Sequence, residues 1–273
     1  MQLIDGNNFI AHHVKNNIPC AVGKIGVVEL KMIYSYFNKN YHLFDDIIKE
    51  ATCNAGIYPY TDENFNKFME IYIESLKSLN AMPIWNKILS NIEIQIHQQI
   101  NAYNIRLIDI EPYLHKNPWS HQLKDKDVIV ISPFADSIKI QYKQKDNIWP
   151  NNILPCFNLK TIKYPHANTI DINSRFKNTL EVIEWTKEQI SNIKYDVVIV
   201  GAGAASIPLI SYIKKHNKIG IHMGGPTQIL FGIKGKRWDN IEQFKNFFND
   251  YWIRPSSDEI PDNKNLIEDG CYW

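Results

Sequence analysis

The chain has 273 residues, 44% of them apolar, and its 30 basic residues nearly balance its 29 acidic ones. That length accommodates one large domain or two small ones with a sizeable core. A net charge of +1 excludes a global field that would draw the protein to nucleic acid or to an anionic membrane, so any anion it binds must be held by local chemistry.

Cys20, Cys53, Cys156 and Cys271 are far apart and form no C-x-x-C pair, a spacing that argues against a disulfide framework or a zinc site and suits a reducing cytosol. The opening stretch MQLIDGNNFIAHHVKNN lacks a positive n-region followed by a long apolar h-region, so a signal peptide is not expected. No run approaches the ~20 apolar residues that span a bilayer.

In chain order, CAVGKIG reads as a short apolar strand ending in glycines, and VVELKMIYSYF continues as a helix that brings Val28, Met32 and Tyr36 near one face. Glu29 falls on the first turn of that helix, where an acid is either a dipole partner or a group with chemistry to do. A helix is predicted from Asp62 to Leu79, with Thr61 as N-cap and an acidic first turn. Phe65, Phe68, Met69, Tyr72, Ile73 and Leu76 share its apolar face, and Pro83 stops it. NKILSNIEIQIHQQI supplies a helix or a helix plus a strand.

From about residue 100 the pattern becomes α/β. IRLIDI, DVIVIS, LKTIKY, DVVIV and KIGIHM are short and rich in β-branched residues, and segments such as SRFKNTLEVIEWTKEQISNI between them have helical periodicity. This alternation predicts a mostly parallel sheet flanked by helices, whose ligands would sit outside the carboxyl ends of the strands. With no repeat and no Pro/Gly/Ser linker, a single compact unit is expected. It comprises a helix-rich part (1–100), a parallel α/β part (101–240) and a tail (241–273) that packs back on the site.

Three predicted strand ends carry unusual residues. Ser132 closes DVIVIS and opens SPFAD. Gly201 and Gly203 open GAGAAS after a strand and before a helix, the context of a dinucleotide fingerprint, but Ser206 replaces its third glycine. The ribose-binding acid expected at the end of the next strand is replaced by His222 and Met223. An NAD site, another phosphate, ribose or sugar contact, and a ligand-free turn all remain open. GGPTQILFGIKGKRW follows KIGIHM; Arg237 after Gly235 and Lys236 leaves no hydroxyl for magnesium, which removes a P-loop. Lys234, Lys236 and Arg237 among glycines form either a diphosphate site or a solvated turn. His222 is either a satisfied rim residue or a proton-transfer group.

Asp125 and Asp127 form a D-x-D pattern, but they precede a strand and so read as a solvated turn. The tail retains Trp252, Tyr272 and Trp273 among acids and prolines, as packing, as the wall of a sugar site, or as both.

GKIGVVE, VIVISPFADSIKIQY, VIVGAGAASIPLISYIKK, IHMGGPTQILFGIKGKRW and the terminal WIRPSSDEIP with GCYW together resemble the GT-D type of glycosyltransferase, from about residue 18 onward. The resemblance implies a Rossmann-like α/β domain that moves a sugar from a nucleotide-diphosphate donor to a hydroxyl of a glycan acceptor. It also implies an R-x-G-D-x-E-like element whose acids bind a divalent metal, Mg or Mn. Here Lys24, Gly26 and Glu29 occupy the Arg, Gly and Glu positions, while Val27 stands where the Asp ligand belongs. The cofactor is then the sugar nucleotide, with the metal left in question.

On this reading Lys234, Lys236 and Arg237, with backbone amides around Gly224 and Gly225, stabilise the leaving diphosphate. Glu29 deprotonates the acceptor, with His222 and Glu259 as competitors. Ser132, Gly201, Gly203 and Gln228 line the nucleotide or sugar pocket. A homo-oligomer is compatible with all of this. Two rivals stand beside it: an NAD-dependent oxidoreductase, and a catalytically inactive glycan-binding relative, for which Val27 is the main argument.

Overall fold

A computed structural model describes residues 2–40, 42–166 and 175–273. Among these, seven strands form one sheet in the order β3-β2-β1-β7-β6-β4-β5. They are β1 Cys20–Val22, β2 Ala81–Pro83, β3 Tyr103–Ile105, β4 Asp127–Ser132, β5 Asn158–Lys163, β6 Val197–Val200 and β7 Ile219–His222. Every pairing is parallel.

The valines and isoleucines of the central strands are buried on both faces, as a helix-covered parallel sheet requires. Ile129, Ile131, Val198 and Val200 point into a layer built from the helices Val27–Phe37, Asp62–Leu76, Thr179–Ser191 and Ser206–Lys215. Their neighbours Val128, Val130, Val197 and Ile199 point into the other layer, with Ile10, Ile138, Trp119, Trp149 and the tail residues Trp252 and Trp273. Connections that step from β1 to β2 or from β6 to β7 place their helices on the first face, and the step from β4 to β5 places Ala135–Tyr142 on the second. A uniform crossover hand produces this division.

Two consequences position the site. The register sets Val22 beside Ile221, His222 beside Val200 and Val200 beside Ile131, so the residues just beyond β1, β4, β6 and β7 lie side by side. The adjacent strands β4 and β6 also send their loops to opposite layers, which opens a crevice at their carboxyl ends.

The structure departs from the sequence expectations in several places. β1 and β2 come from the first 100 residues, and β1 sits mid-sheet, so the helix-rich part shares the sheet with the rest. The Thr61-capped helix ends at Leu76, and Pro83 closes β2 without having stopped that helix. Only Ile105 of IRLIDI is in a strand. The buried Asp109 carboxylate accepts the Arg106 and Gly6 amides at 3.0 and 3.1 Å, which bends Leu107–Ile110 into a short 3-10 turn. NKILSNIEIQIHQQI yields one helix, Ser90–Ile100. Ser174, the first residue of the predicted helical segment 174–193, lies outside the described residues; the helix runs Thr179–Ser191.

The tail docks through backbone bonds, Lys234 N to Ile253 O at 2.7 Å and Arg237 N to Cys271 O at 2.8 Å. No described helix is long and apolar enough to cross a membrane.

Candidate functional site

A cavity of about 400 Å³ opens at the carboxyl edge of the sheet, within the size range of small-molecule sites. Residues following β1, β2, β4, β5, β6 and β7 line it, from Lys24 and Trp85 to Ser132, Tyr164, Gly201 and His222. The segment 50–56 and the tail from Ile267 to Trp273 complete the wall.

Lys24 stands two residues beyond β1 and reaches across to the loop after β7: a Cβ on Gly224 would lie 3.5 Å from its Cε and 3.9 Å from its Nζ. Gly224 is at φ +67°, a conformation that glycine adopts without strain. The ammonium also lies 5.9 Å from the centre of the Trp85 ring, which is anchored by Nε1 donating to Ile25 O at 3.0 Å. No described carboxylate pairs with Lys24. Glu50 is taken by Lys31 at 2.5 Å and Glu268 by Arg237. Burial pushes the Lys24 pKa down, and Arg237 adds to the drop while Glu111 and Glu29 oppose it.

Glu29 sits in the first turn of Val27–Phe37, whose N-cap is Gly26. Its carboxylate folds back onto that turn beside the Gly26 and Glu29 amides, and a side chain on Gly26 would collide with it. Burial raises the Glu29 pKa, and the amides and Lys24 only partly offset this. A carboxylate so shifted is better matched to accept a proton near neutral pH.

His222 closes β7 and is buried. Its Nδ1 lies 3.3 Å from Val200 O; a carbonyl can only accept, so Nδ1 carries the proton and Nε2 keeps its lone pair. Burial, with Lys24 adding to it, brings the pKa down to about 3. The ring is therefore neutral under physiological conditions, suited to accept a hydrogen bond and a poor base.

The GAGAAS turn is packed rather than open. A Cβ on Gly201 would meet Gly224 O at 2.9 Å, and one on Gly203, at φ +54°, would meet Ala55 O at 3.0 Å. Ser206 Oγ accepts the Ala202 amide at 3.0 Å, and the Gly201 and Gly224 amides donate to Ile131 O and Val200 O at 2.8 and 3.2 Å. The Gly201 and Ala202 amides at the head of the turn are thus already used, and His222 stands where a ribose-binding acid belongs. Gly225 keeps its amide out of these backbone bonds among the described residues.

The 232–237 loop differs most from its expected role. Gly232, at φ +69°, packs on Ile148, and Gly235 lies under Trp238 and the Cys271 and Tyr272 carbonyls. Lys234 covers the Phe248 ring at 5.7 Å, Lys236 is exposed, and neither lines the cavity. The glycines serve close packing against the tail, which turns both lysines away. Arg237 alone reaches the wall, paired with Glu268 and 5.0 Å from the Tyr272 ring centre. Tyr272 Oη donates to Glu268 Oε1 at 2.9 Å.

Glu259 is also removed from the chemistry. It is wholly buried and lies outside the cavity lining. Its carboxylate accepts Asp136 N at 2.8 Å, Ser137 N at 3.2 Å, the Ser137 hydroxyl and Ser256 Oγ at 3.1 Å. It caps the helix Ala135–Tyr142 and ties the tail to it.

Ser132 lines the cavity with its Oγ accepting Phe134 N at 3.1 Å. Gln228 lines it too, with Nε2 donating to Lys234 O and Tyr272 O at 3.0 and 2.7 Å, while its Oε1 and Thr227 Oγ1 are buried without a partner. Asp127 opens β4 at the end away from the cavity, bonded to Asn158 at 2.6 Å and Lys194 at 3.1 Å, so the D-x-D pattern spans a turn and a strand start rather than a turn alone. Sequence reasoning missed Trp85, Glu50, Tyr164 and Glu268. A lone Trp after a three-residue strand has no periodicity to flag it, and Glu268 is legible only as the partner of Arg237.

The Mg or Mn implied by the resemblance does not fit these residues. Val27 lines the cavity but offers no ligand atom, Glu29 is turned onto its own helix, and Glu111 accepts the Tyr113 hydroxyl at 2.6 Å. Among the described residues no three His, Cys, Asp or Glu side chains gather to hold a metal ion. Comparison with family models, with curated proteins and with solved structures gave no match.

Proposed function

We propose that this protein is a GT-D-like glycosyltransferase that moves a sugar from a nucleotide-diphosphate donor to a hydroxyl of a glycan acceptor. The observation that carries the reading is that Lys24, a cation with no ion-pair partner among the described residues, and Glu29, a carboxylate of raised pKa, line one cavity at the carboxyl edge of a parallel sheet. Such a cavity favours a ligand that brings its own negative charge and a hydroxyl to be deprotonated.

Transfer breaks the bond between the anomeric carbon and the donor phosphate oxygen, and the electron pair leaves on the diphosphate. Fixed positive charge is most effective where that charge develops, and Lys24 supplies it. The acceptor oxygen bonds to the anomeric carbon through an oxocarbenium-like transition state, and its proton passes to Glu29. The neutral His222 Nε2 accepts a hydrogen bond from a donor hydroxyl. Trp85 and Tyr272, from different segments of the wall, offer apolar faces to sugar rings.

A binding-only role is the second reading, favoured by Val27 and by the engagement of Glu29 with its own helix. One experiment separates them: incubation with UDP-, GDP- and TDP-sugars, following nucleotide release and thermal shift together. Release with a shift supports transfer, a shift without release supports binding alone, and neither refutes both.

A further inference from the structure

Each carboxylate on the cavity wall other than Glu29 already has a cation. Glu50 is paired with Lys31 and Glu268 with Arg237. Glu29 has its own helix amides. Glu111, the remaining acid felt by Lys24, is bonded to the Tyr113 hydroxyl at 2.6 Å. Among the described residues the wall thus offers no free set of carboxylates to a divalent ion, which asks for several charged or polar oxygens at once, and its unpartnered oxygens are the neutral Gln228 Oε1 and Thr227 Oγ1. It does offer the Lys24 ammonium, which has no ion pair among the described residues and reaches across the crevice toward Gly224.

We infer that Lys24 holds the donor diphosphate directly, in place of a divalent cation, so that the site binds its nucleotide without metal. This rests on the glycosyl-transfer reading and adds to it that no divalent cation shares the work of meeting the leaving group. A lysine is a compact point charge on a flexible stem, and here its ammonium lies 5.9 Å from the Trp85 ring centre while the end of its stem runs close to Gly224. It supplies one positive charge where a metal would supply two, and Arg237 remains engaged with Glu268 at the rim. The same arrangement explains the chemistry of position 27: with Lys24 in place, a valine there costs the site no ligand.

The test is calorimetric titration of the full chain with UDP, GDP and TDP, in excess EDTA and separately in millimolar Mg or Mn. At least one nucleotide is expected to bind with a Kd that agrees within about twofold between the two conditions. Lys24→Met should weaken that binding at least tenfold in both, about 1.4 kcal/mol, while Lys24→Arg recovers part of it. Binding that appears only with metal overturns the inference and leaves the glycosyl-transfer reading standing. Binding by none of the three in either condition removes that reading, and the inference with it. The comparison of metal with EDTA uses the unaltered protein, so it decides the matter even if Lys24→Met does not fold; undiminished binding by a folded Lys24→Met refutes the role of the lysine.

Discussion

Replacing Glu259 distinguishes a structural carboxylate from a catalytic one. Glu259→Ala would strip the acceptor from the Asp136 and Ser137 amides, which lie at 2.8 and 3.2 Å, and from two serine hydroxyls that can rotate toward other partners. A buried amide left without a partner costs about 1–3 kcal/mol, and loss of negative charge at a helix N-terminus adds about 0.5 kcal/mol. The sum is roughly 2.5–6.5 kcal/mol, which for a chain of this size lowers Tm by about 5–25 °C. The effect should spread to the tail, because Glu259 O also accepts Trp273 Nε1 and His166 Nε2, each at 2.9 Å. Thermal unfolding by circular dichroism measures the loss. Nucleotide affinity, taken well below the lowered Tm, should stay within a few-fold of wild type. An unchanged Tm with abolished turnover would show that Glu259 belongs to the chemistry and that its capping role is wrong.

Three further predictions follow from packing and charge. His222 has a folded pKa of about 3 against about 6.5 in the unfolded chain, so it contributes stability that is full above pH 6.5 and declines as pH falls toward 3. The decline is up to about 1.4 kcal/mol per pH unit. Urea unfolding of wild type and His222→Asn at pH 7 and pH 5 should show the gap between them narrowing on acidification, and a constant gap would contradict the assignment. Gln228→Ala breaks two partly buried bonds to Lys234 O and Tyr272 O and should raise amide exchange across 266–273; unchanged exchange there would mean the tail is held by other contacts. Gly220→Ala would set a Cβ 2.8 Å from Ile210 Cβ, and overpacking of this kind costs about 1–3 kcal/mol; an unaffected denaturation midpoint would argue against the close helix-sheet approach.

The long apolar runs were the most legible part of the sequence. DVIVIS, DVVIV and KIGIHM are buried on both faces, so their composition alone betrays a parallel sheet, and the Thr61 cap marks its helix start as written. The three-residue strand Ala81–Pro83 is invisible to such reasoning, because its strand geometry is set by pairing with β1 and β3 rather than by its own composition. IRLIDI failed for a related reason: a carboxylate three residues ahead of Arg106 folds the chain before an apolar run can extend it.

At the site, position along the chain told which strand ends matter, but side-chain direction did not follow from it. The glycine and lysine richness of 232–237 suggested an anion cradle. In the structure those glycines accommodate Ile148, Trp238 and the tail carbonyls, and the lysines face outward. Lys24 is the converse case: the sequence marks it only through the resemblance, and its lack of an ion pair among the described residues emerges only when Glu50, Glu111 and Glu268 are seen to be engaged elsewhere.

The most direct measurement on the proposed transfer separates turnover from binding at Glu29. With a sugar nucleotide that the wild type consumes, Glu29→Gln should lower the rate of transfer by about 10²–10⁴-fold, the usual contribution of a general base. The Kd of the corresponding nucleoside diphosphate should stay within about threefold of wild type, because glutamine preserves the shape of the turn and leaves Lys24 in place. A Glu29→Gln protein that transfers sugar at the wild-type rate would contradict the role given to this carboxylate and, with it, the mechanism built on the Lys24 and Glu29 pair.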